Sequence, residues 1–161
     1  LLYSGPWVAE RTAAVAGCLA SNADEFAPAV RAIIEGGLKV TGVEAFAGQY
    51  RLAGYKRVAD AMWDDIDALL LPTAPTTWTV AAMRGDPVRL NAKLGLYTNF
   101  VNLLDMAAVA VPAGFRANAT GFGVTLIGPA WSDRMLAGLG SAHAAALDIT
   151  PAALDLTHKD N

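Results

Sequence analysis

Two short apolar runs, each closed by a proline, constrain this chain most: Asp67 to Leu71 before Pro72, and Ala107 to Val111 before Pro112. Runs this brief, without helical spacing, suit strands buried in a covered sheet. Gly123-Val124-Thr125-Leu126-Ile127-Gly128 is a third strand candidate. Around these runs the pattern changes to the helical period. Gly5-Pro6 places Pro at a first helical position, and Trp7, Val8, Arg11, Val15 and Cys18 recur at helical spacing, predicting a helix from Trp7 to Leu19. Asn22 or Asp24 can cap a second helix through Phe26, Val30, Ile33 and Ile34, stopped at Gly36-Gly37 by positive φ. Thr41-Gly42-Val43-Glu44 has the capping-box pattern, and behind it Phe46, Tyr50, Leu52, Tyr55, Val58, Ala59 and Met62 form the face of a long amphipathic helix.

Further helical spacing links Leu94, Tyr97, Val101 and Leu104, and Ser132 caps a closing helix through Met135, Leu136, Leu139 and Leu147. Pro72 to Val80 reads as a loop. Strands interleaved with helices predict an α/β architecture: a mixed sheet of short buried strands covered by helices. The pattern of elements covers residues 1–149. Residues 150–161, ending in His158-Lys159-Asp160-Asn161, read as a polar tail or the start of a linker.

Composition narrows the class. Of 161 residues, 54% are hydrophobic and 17% charged, enough for one globular domain with a real core. The longest apolar stretches fall well short of the roughly 20 residues of a membrane helix, so the chain reads as soluble, with no membrane partner. A formal charge of −3, with twelve scattered Lys and Arg, argues against nucleic acid as a partner. The single Cys18 forms no internal disulfide, and two His without a second Cys make no closed zinc site. This fits a reducing cytoplasm. The start, Leu1-Leu2-Tyr3, is neither an initiator Met nor a signal peptide, and the chain reads as beginning within a longer protein.

Catalytic signatures are sparse. A serine hydrolase needs a nucleophile and a base within hydrogen-bond reach. Ser4, Ser21, Ser132 and Ser141 lie in no Gly-Ser-Ser-Gly or Gly-x-Ser-x-Gly context. Gly121-Phe122-Gly123 lacks the third Gly and the helix of a dinucleotide fingerprint. The acidic cluster Asp60, Asp64, Asp65 and Asp67 reads as a solvated helix end rather than a metal or paired-carboxylate site. No residue here is assigned a catalytic role.

The strings Leu1-Leu2-Tyr3-Ser4-Gly5-Pro6-Trp7-Val8-Ala9-Glu10-Arg11 and Leu69-Leu70-Leu71-Pro72-Thr73-Ala74-Pro75-Thr76 resemble successive landmarks of allophanate hydrolases within the amidase signature family. The resemblance continues through Asp86-Pro87-Val88 with Asn91, Leu94 to Asp105, Ala110 to Phe115 and Gly123 to Ala130, reaching about Leu147. The strand-Pro-Thr and Val-Pro-Ala-Gly-Phe elements are similar to amidases in general. Tyr3 with Gly5-Pro6-Trp7-Val8-Ala9-Glu10-Arg11, and Tyr97-Thr98-Asn99-Phe100-Val101-Asn102-Leu103, point to the allophanate branch.

The resemblance implies the C-terminal portion of an amidase domain that hydrolyses allophanate to ammonia and carbon dioxide without metal or organic cofactor. In the family a Lys, a bridging Ser and a nucleophilic Ser do the work, and all three belong upstream of this portion. Lys39, Lys56, Lys93 and Lys159 lie outside the catalytic-lysine motif. Tyr3 and Arg11 match the substrate-recognising positions, and a guanidinium can clamp the carboxylate of allophanate through two parallel hydrogen bonds. Read as early in its helix, Arg11 is disfavoured by the macrodipole, which a compensating anion would offset. The plainer alternative is a surface ion pair with Glu10 or with a neighbour outside this portion. Tyr3 supplies either a phenolic hydrogen bond or packing at the helix start.

Thr73, Thr76, Thr98, Asn99 and Asn102 are candidates for the pocket floor, with turn and cap duties the bland reading for most. Where the family runs Gly-Leu-Pro-Phe-Gly before the last strand, this chain has Ala119-Thr120-Gly121-Phe122-Gly123. Partners implied are the small-molecule substrate, a homodimer of the parent and a functional link to urea carboxylase. Two other readings stay open: a non-catalytic amidase-like binding or scaffold module, and an amidase of different specificity, acting on malonamide or a glutaminyl side chain.

Overall fold

The computed structural model describes residues 5–147; Tyr3, Ser4 and the tail at 150–161 lie outside them. Helices dominate. α1 (Trp7–Ala14) and α2 (Ala16–Asn22) replace the single expected helix, because Val15 takes φ −110° and ψ 12° between them. A 3-10 turn at Ala23–Glu25 leads to α3 (Pro28–Gly36), which begins at its proline rather than under an Asn22 or Asp24 cap. Gly36 and Gly37 do not stop it by positive φ. Both stay right-handed, and a 3-10 turn at Gly37–Lys39 tightens the end instead. Gly37 is buried against Thr12, where a side-chain carbon would collide with the Thr12 hydroxyl. That hydroxyl stands 2.5 Å from the Ile34 carbonyl and 2.8 Å from the Val8 carbonyl, so a buried polar group ties α1 to α3.

α4 (Gly42–Met62) starts under the predicted capping box: the Thr41 hydroxyl accepts from Glu44 N, and Glu44 accepts from Thr41 N at 2.8 Å. Its expected apolar face is divided. Phe46, Tyr50, Tyr55 and Val58 are exposed, while Ala45, Leu52, Lys56 and Ala59 are half-buried around the buried Gly48. The inward face is thus built mainly from small residues, which permit close approach, and larger ones point away.

β1 (Leu69–Pro72), β2 (Ala107–Phe115) and β3 (Gly121–Gly128) form one sheet in the order β1-β3-β2. Helices layer against it as expected. The sheet is antiparallel rather than mixed among the described residues, β3 running opposite to both β1 and β2. The physical reason for β2 and β3 is the short turn between them, where Arg116 N donates to Thr120 O at 2.8 Å.

Pro112 was expected to end β2, yet the strand continues to Phe115. Its lack of a donor is tolerated because β2 is an edge strand. Between Pro112 and Gly114 the register shifts, Ala113 being the extra residue, and Gly114 takes φ 116°, a conformation suited to glycine. Nor are the strands covered throughout: Ala108, Ala110, Pro112 and Phe115 of β2 are exposed.

The region between β1 and β2 holds three helices. α5 (Val80–Gly85) was not anticipated and follows the Thr79 cap; α6 (Pro87–Leu94) follows Asp86; α7 (Asn99–Leu103) comes after a turn at Gly95–Thr98. α8 (Asp133–Ala146) packs over β2 and β3. Its Leu136 is 1% exposed. On β3, Leu126 faces α8, whereas Ile127 and Thr125 alternate onto the other face at 0% and 3% exposure, closing the core at the central strand. Ser132 precedes α8 but does not cap it by a side-chain bond; its hydroxyl donates to Pro129 O at 2.7 Å.

Candidate functional site

A cavity of about 520 Å³ opens between α1 and α7. Trp7, Glu10 and Arg11 reach it from α1, where their i, i+3, i+4 spacing puts them on one face. Thr98, Asn99 and Asn102 line it from α7 and its preceding residue, joined by Ala108 of β2. Arg11 and three of the five pocket-floor candidates therefore meet in one place. Thr73 and Thr76 line a different cavity, beside the β2–β3 turn. Tyr3 lies outside the described residues.

The position of Arg11 reverses one expectation. Because α1 ends at Ala14, Arg11 is in its last turn, where the macrodipole favours a cation. No compensating anion is needed to explain its placement. Among the described residues Arg11 makes no ion pair or hydrogen bond, with Glu10 or any other group. Its side chain lines the cavity with no partner among the described residues. Glu10 lines the same cavity, so the lining carries one cation, one anion and three neutral polar side chains.

Thr98 stands at the N-cap position of α7 without a side-chain cap bond, and its hydroxyl and the Asn102 amide are engaged by no described partner. Asn99 fills the space beside Gly95, where a side-chain carbon would collide with its amide. These groups offer both donors and acceptors. They suit a ligand that carries an anion at one end and amide-like groups at the other. The short α7 is fixed behind them by Met106 N donating to Val101 O at 3.0 Å and by Lys56 Nζ donating to Leu104 O at 3.2 Å.

Other titratable groups do structural work. Lys56 also lies 3.6 Å from Asp60 and 3.8 Å from Asp105. Arg31 joins Glu35 at 2.7 Å and Asp24 at 2.8 Å; bonds to these two acids, first Glu35, raise its pKa. The Asp86 carboxyl is held below its usual range chiefly by the Arg89 side chain. The hydroxyls of Ser21 and Ser141 donate back to carbonyls of their own helices. Asp64, Asp65 and Asp67 are exposed, and among the described residues no group of three His, Cys, Asp or Glu is placed to hold a metal ion. No described helix is long and apolar enough to cross a membrane.

Comparison with known proteins follows the same lines. The family model Amidase matches residues 10–137. The urea amidolyases of Saccharomyces cerevisiae and Lachancea kluyveri are 39% and 41% identical over 144 residues, 88% of this chain. The chain spans only 8% of the length of either. Kluyveromyces lactis allophanate hydrolase superposes with a TM-score of 0.85 at 38% identity, over 91% of this chain and 24% of that one.

Proposed function

The chain belongs to the amidase family, and on that premise we propose that it forms the C-terminal part of the amidase domain of an allophanate hydrolase. The substrate is allophanate, hydrolysed to ammonia and carbon dioxide. Arg11 binds the substrate carboxylate, Tyr3 adds a phenolic hydrogen bond, and Thr98, Asn99 and Asn102 meet the urea-like end. The Ser-Ser-Lys machinery is supplied from upstream of this chain and needs no cofactor. The setting is cytoplasmic, the parent is a homodimer, and it works with urea carboxylase.

One observation carries this reading: an arginine with no ionic partner among the described residues shares a cavity with three neutral hydrogen-bonding side chains. Identity to two urea amidolyases over most of the chain supports the substrate class. An amidase of different specificity is the second reading. Glu10 in the same cavity favours it, because a carboxylate there suits a neutral or cationic amide.

The test is Arg11→Ala in the complete amidase domain that carries this sequence, followed by ammonia release. Hydrogen bonds to a charged group are worth about 1.5–3 kcal/mol, so kcat/KM for allophanate should fall about 10- to 100-fold, chiefly through KM. Arg11→Lys should recover only part of the loss, having no fork. Unchanged turnover of allophanate with Arg11→Ala would overturn the carboxylate assignment.

A further inference from the structure

A second cavity, of about 410 Å³, lies where β1 ends and the β2–β3 turn begins, and it shares no lining residue with the Arg11 cavity. Arg116 is its cation. The turn fixes the root of this side chain: Arg116 N donates to Thr120 O at 2.8 Å, and Ala119 N donates to Arg116 O at 2.9 Å. At the far end, Nη2 donates to Ala74 O at 3.3 Å and the guanidinium carbon stands 5.5 Å from the Phe122 ring centre. Stacking on the ring occupies one face of the guanidinium and one donor is committed to Ala74. The other donors, in the guanidinium plane, have no described partner.

The rest of the lining matches an anion. It contains no Asp or Glu, and Arg116 forms no ion pair among the described residues. Thr77 adds a hydroxyl, while Ala110, Pro112 and Phe122 supply apolar walls. The planar fork suits a carboxylate, which two parallel N–H bonds can hold, and the apolar walls favour an anion with an aliphatic body over inorganic phosphate. We propose that this cavity binds a small aliphatic carboxylate, at a site distinct from the Arg11 cavity and independent of the role proposed for it.

The experiment titrates propionate, and separately inorganic phosphate, at constant ionic strength into the full-length protein ¹⁵N-labelled at threonine and glycine. Propionate should produce saturating amide shifts at Thr76, Thr77, Gly121 and Gly123. Arg116→Lys should weaken that titration about tenfold, because one forked pair becomes a point charge, and Arg116→Met should abolish it. Arg11→Met should leave it unchanged. The proposal is overturned if propionate gives no saturating shift, if Arg116→Met retains it, if Arg11→Met removes it, or if phosphate binds more tightly than propionate. Should Arg116→Met lose the dispersed spectrum of the fold, Thr77→Val decides: a weaker propionate titration supports the site, and an unchanged one overturns it.

Discussion

Ala119 and Trp131 hold φ at 63° and 69°, in the left-handed region that costs a residue with a Cβ roughly 1–2 kcal/mol. Trp131 is 95% exposed, so no described packing offsets its strain. Glycine removes the steric penalty but adds chain entropy to the unfolded state, about 0.4–1 kcal/mol. Ala119→Gly and Trp131→Gly should each therefore stabilise by about 0.5 kcal/mol, read as a higher urea midpoint at unchanged slope. A second prediction concerns Glu44, whose carboxyl is held below its usual range first by the Thr41 backbone N–H and then by the Thr41 hydroxyl. A depressed folded-state pKa gives stability that is full above the unfolded pKa of about 4.3 and is lost as pH falls below it. Glu44→Gln should flatten that part of the acid limb in thermal melts between pH 6 and pH 3, with the remaining slope left to groups such as Asp86. The capping box was legible because all its partners lie within four residues. The strain at Ala119 was not legible: the departure from the family's Gly-Leu-Pro-Phe-Gly string showed that the loop is altered, but no propensity rule places alanine at positive φ.

Elements were legible in kind more readily than in extent. The apolar runs before Pro72 and Pro112 are strands, but β2 runs past its proline because it occupies a sheet edge, and strand order is a long-range property that no local pattern encodes. The first helix breaks at Val15 and the helical spacing from Leu94 to Leu104 is split by the turn at Gly95, since periodicity persists across a short kink. In α4 Phe46, Tyr50, Tyr55 and Val58 point outward while Leu52, Ala59 and Met62 of the same expected face are half-buried, and the fully buried position is Gly48, so reading by hydrophobicity found the inward face only in part. Gly48 meets the ring of Pro6 and lies near Trp7, which lines the Arg11 cavity. Gly48→Ala would raise helix propensity in isolation, yet overpacking costs about 1–3 kcal/mol. Net destabilisation in urea melts is expected, together with a change in Trp7 fluorescence; a more stable variant would show that α1 and α4 move apart freely.

Across the whole molecule, the site is assembled from segments far apart in sequence, which is why it was only partly visible beforehand. Arg11 was identified by resemblance, and Thr98, Asn99 and Asn102 by their place beside a strand; the fold brings all four to one cavity. Thr73 and Thr76 go elsewhere, and the guanidinium they accompany was missed, because its ties to Ala74 and Phe122 depend on tertiary contact. The one available signal was the position of Arg116 directly after Val-Pro-Ala-Gly-Phe.

The extra residue at Ala113 has a consequence for that second cavity. Before it, even-numbered positions of β2 share a face with Thr125 and Ile127; after it, odd-numbered Phe115 pairs with Gly121 and joins them. The strand thus changes phase at a single alanine. Were Ala113 kept in the ladder as an ordinary paired residue, Phe115 would fall on the side of α8 and the start of the turn would rotate with it, so the direction in which the hairpin tip presents its charge is set one step before the tip begins.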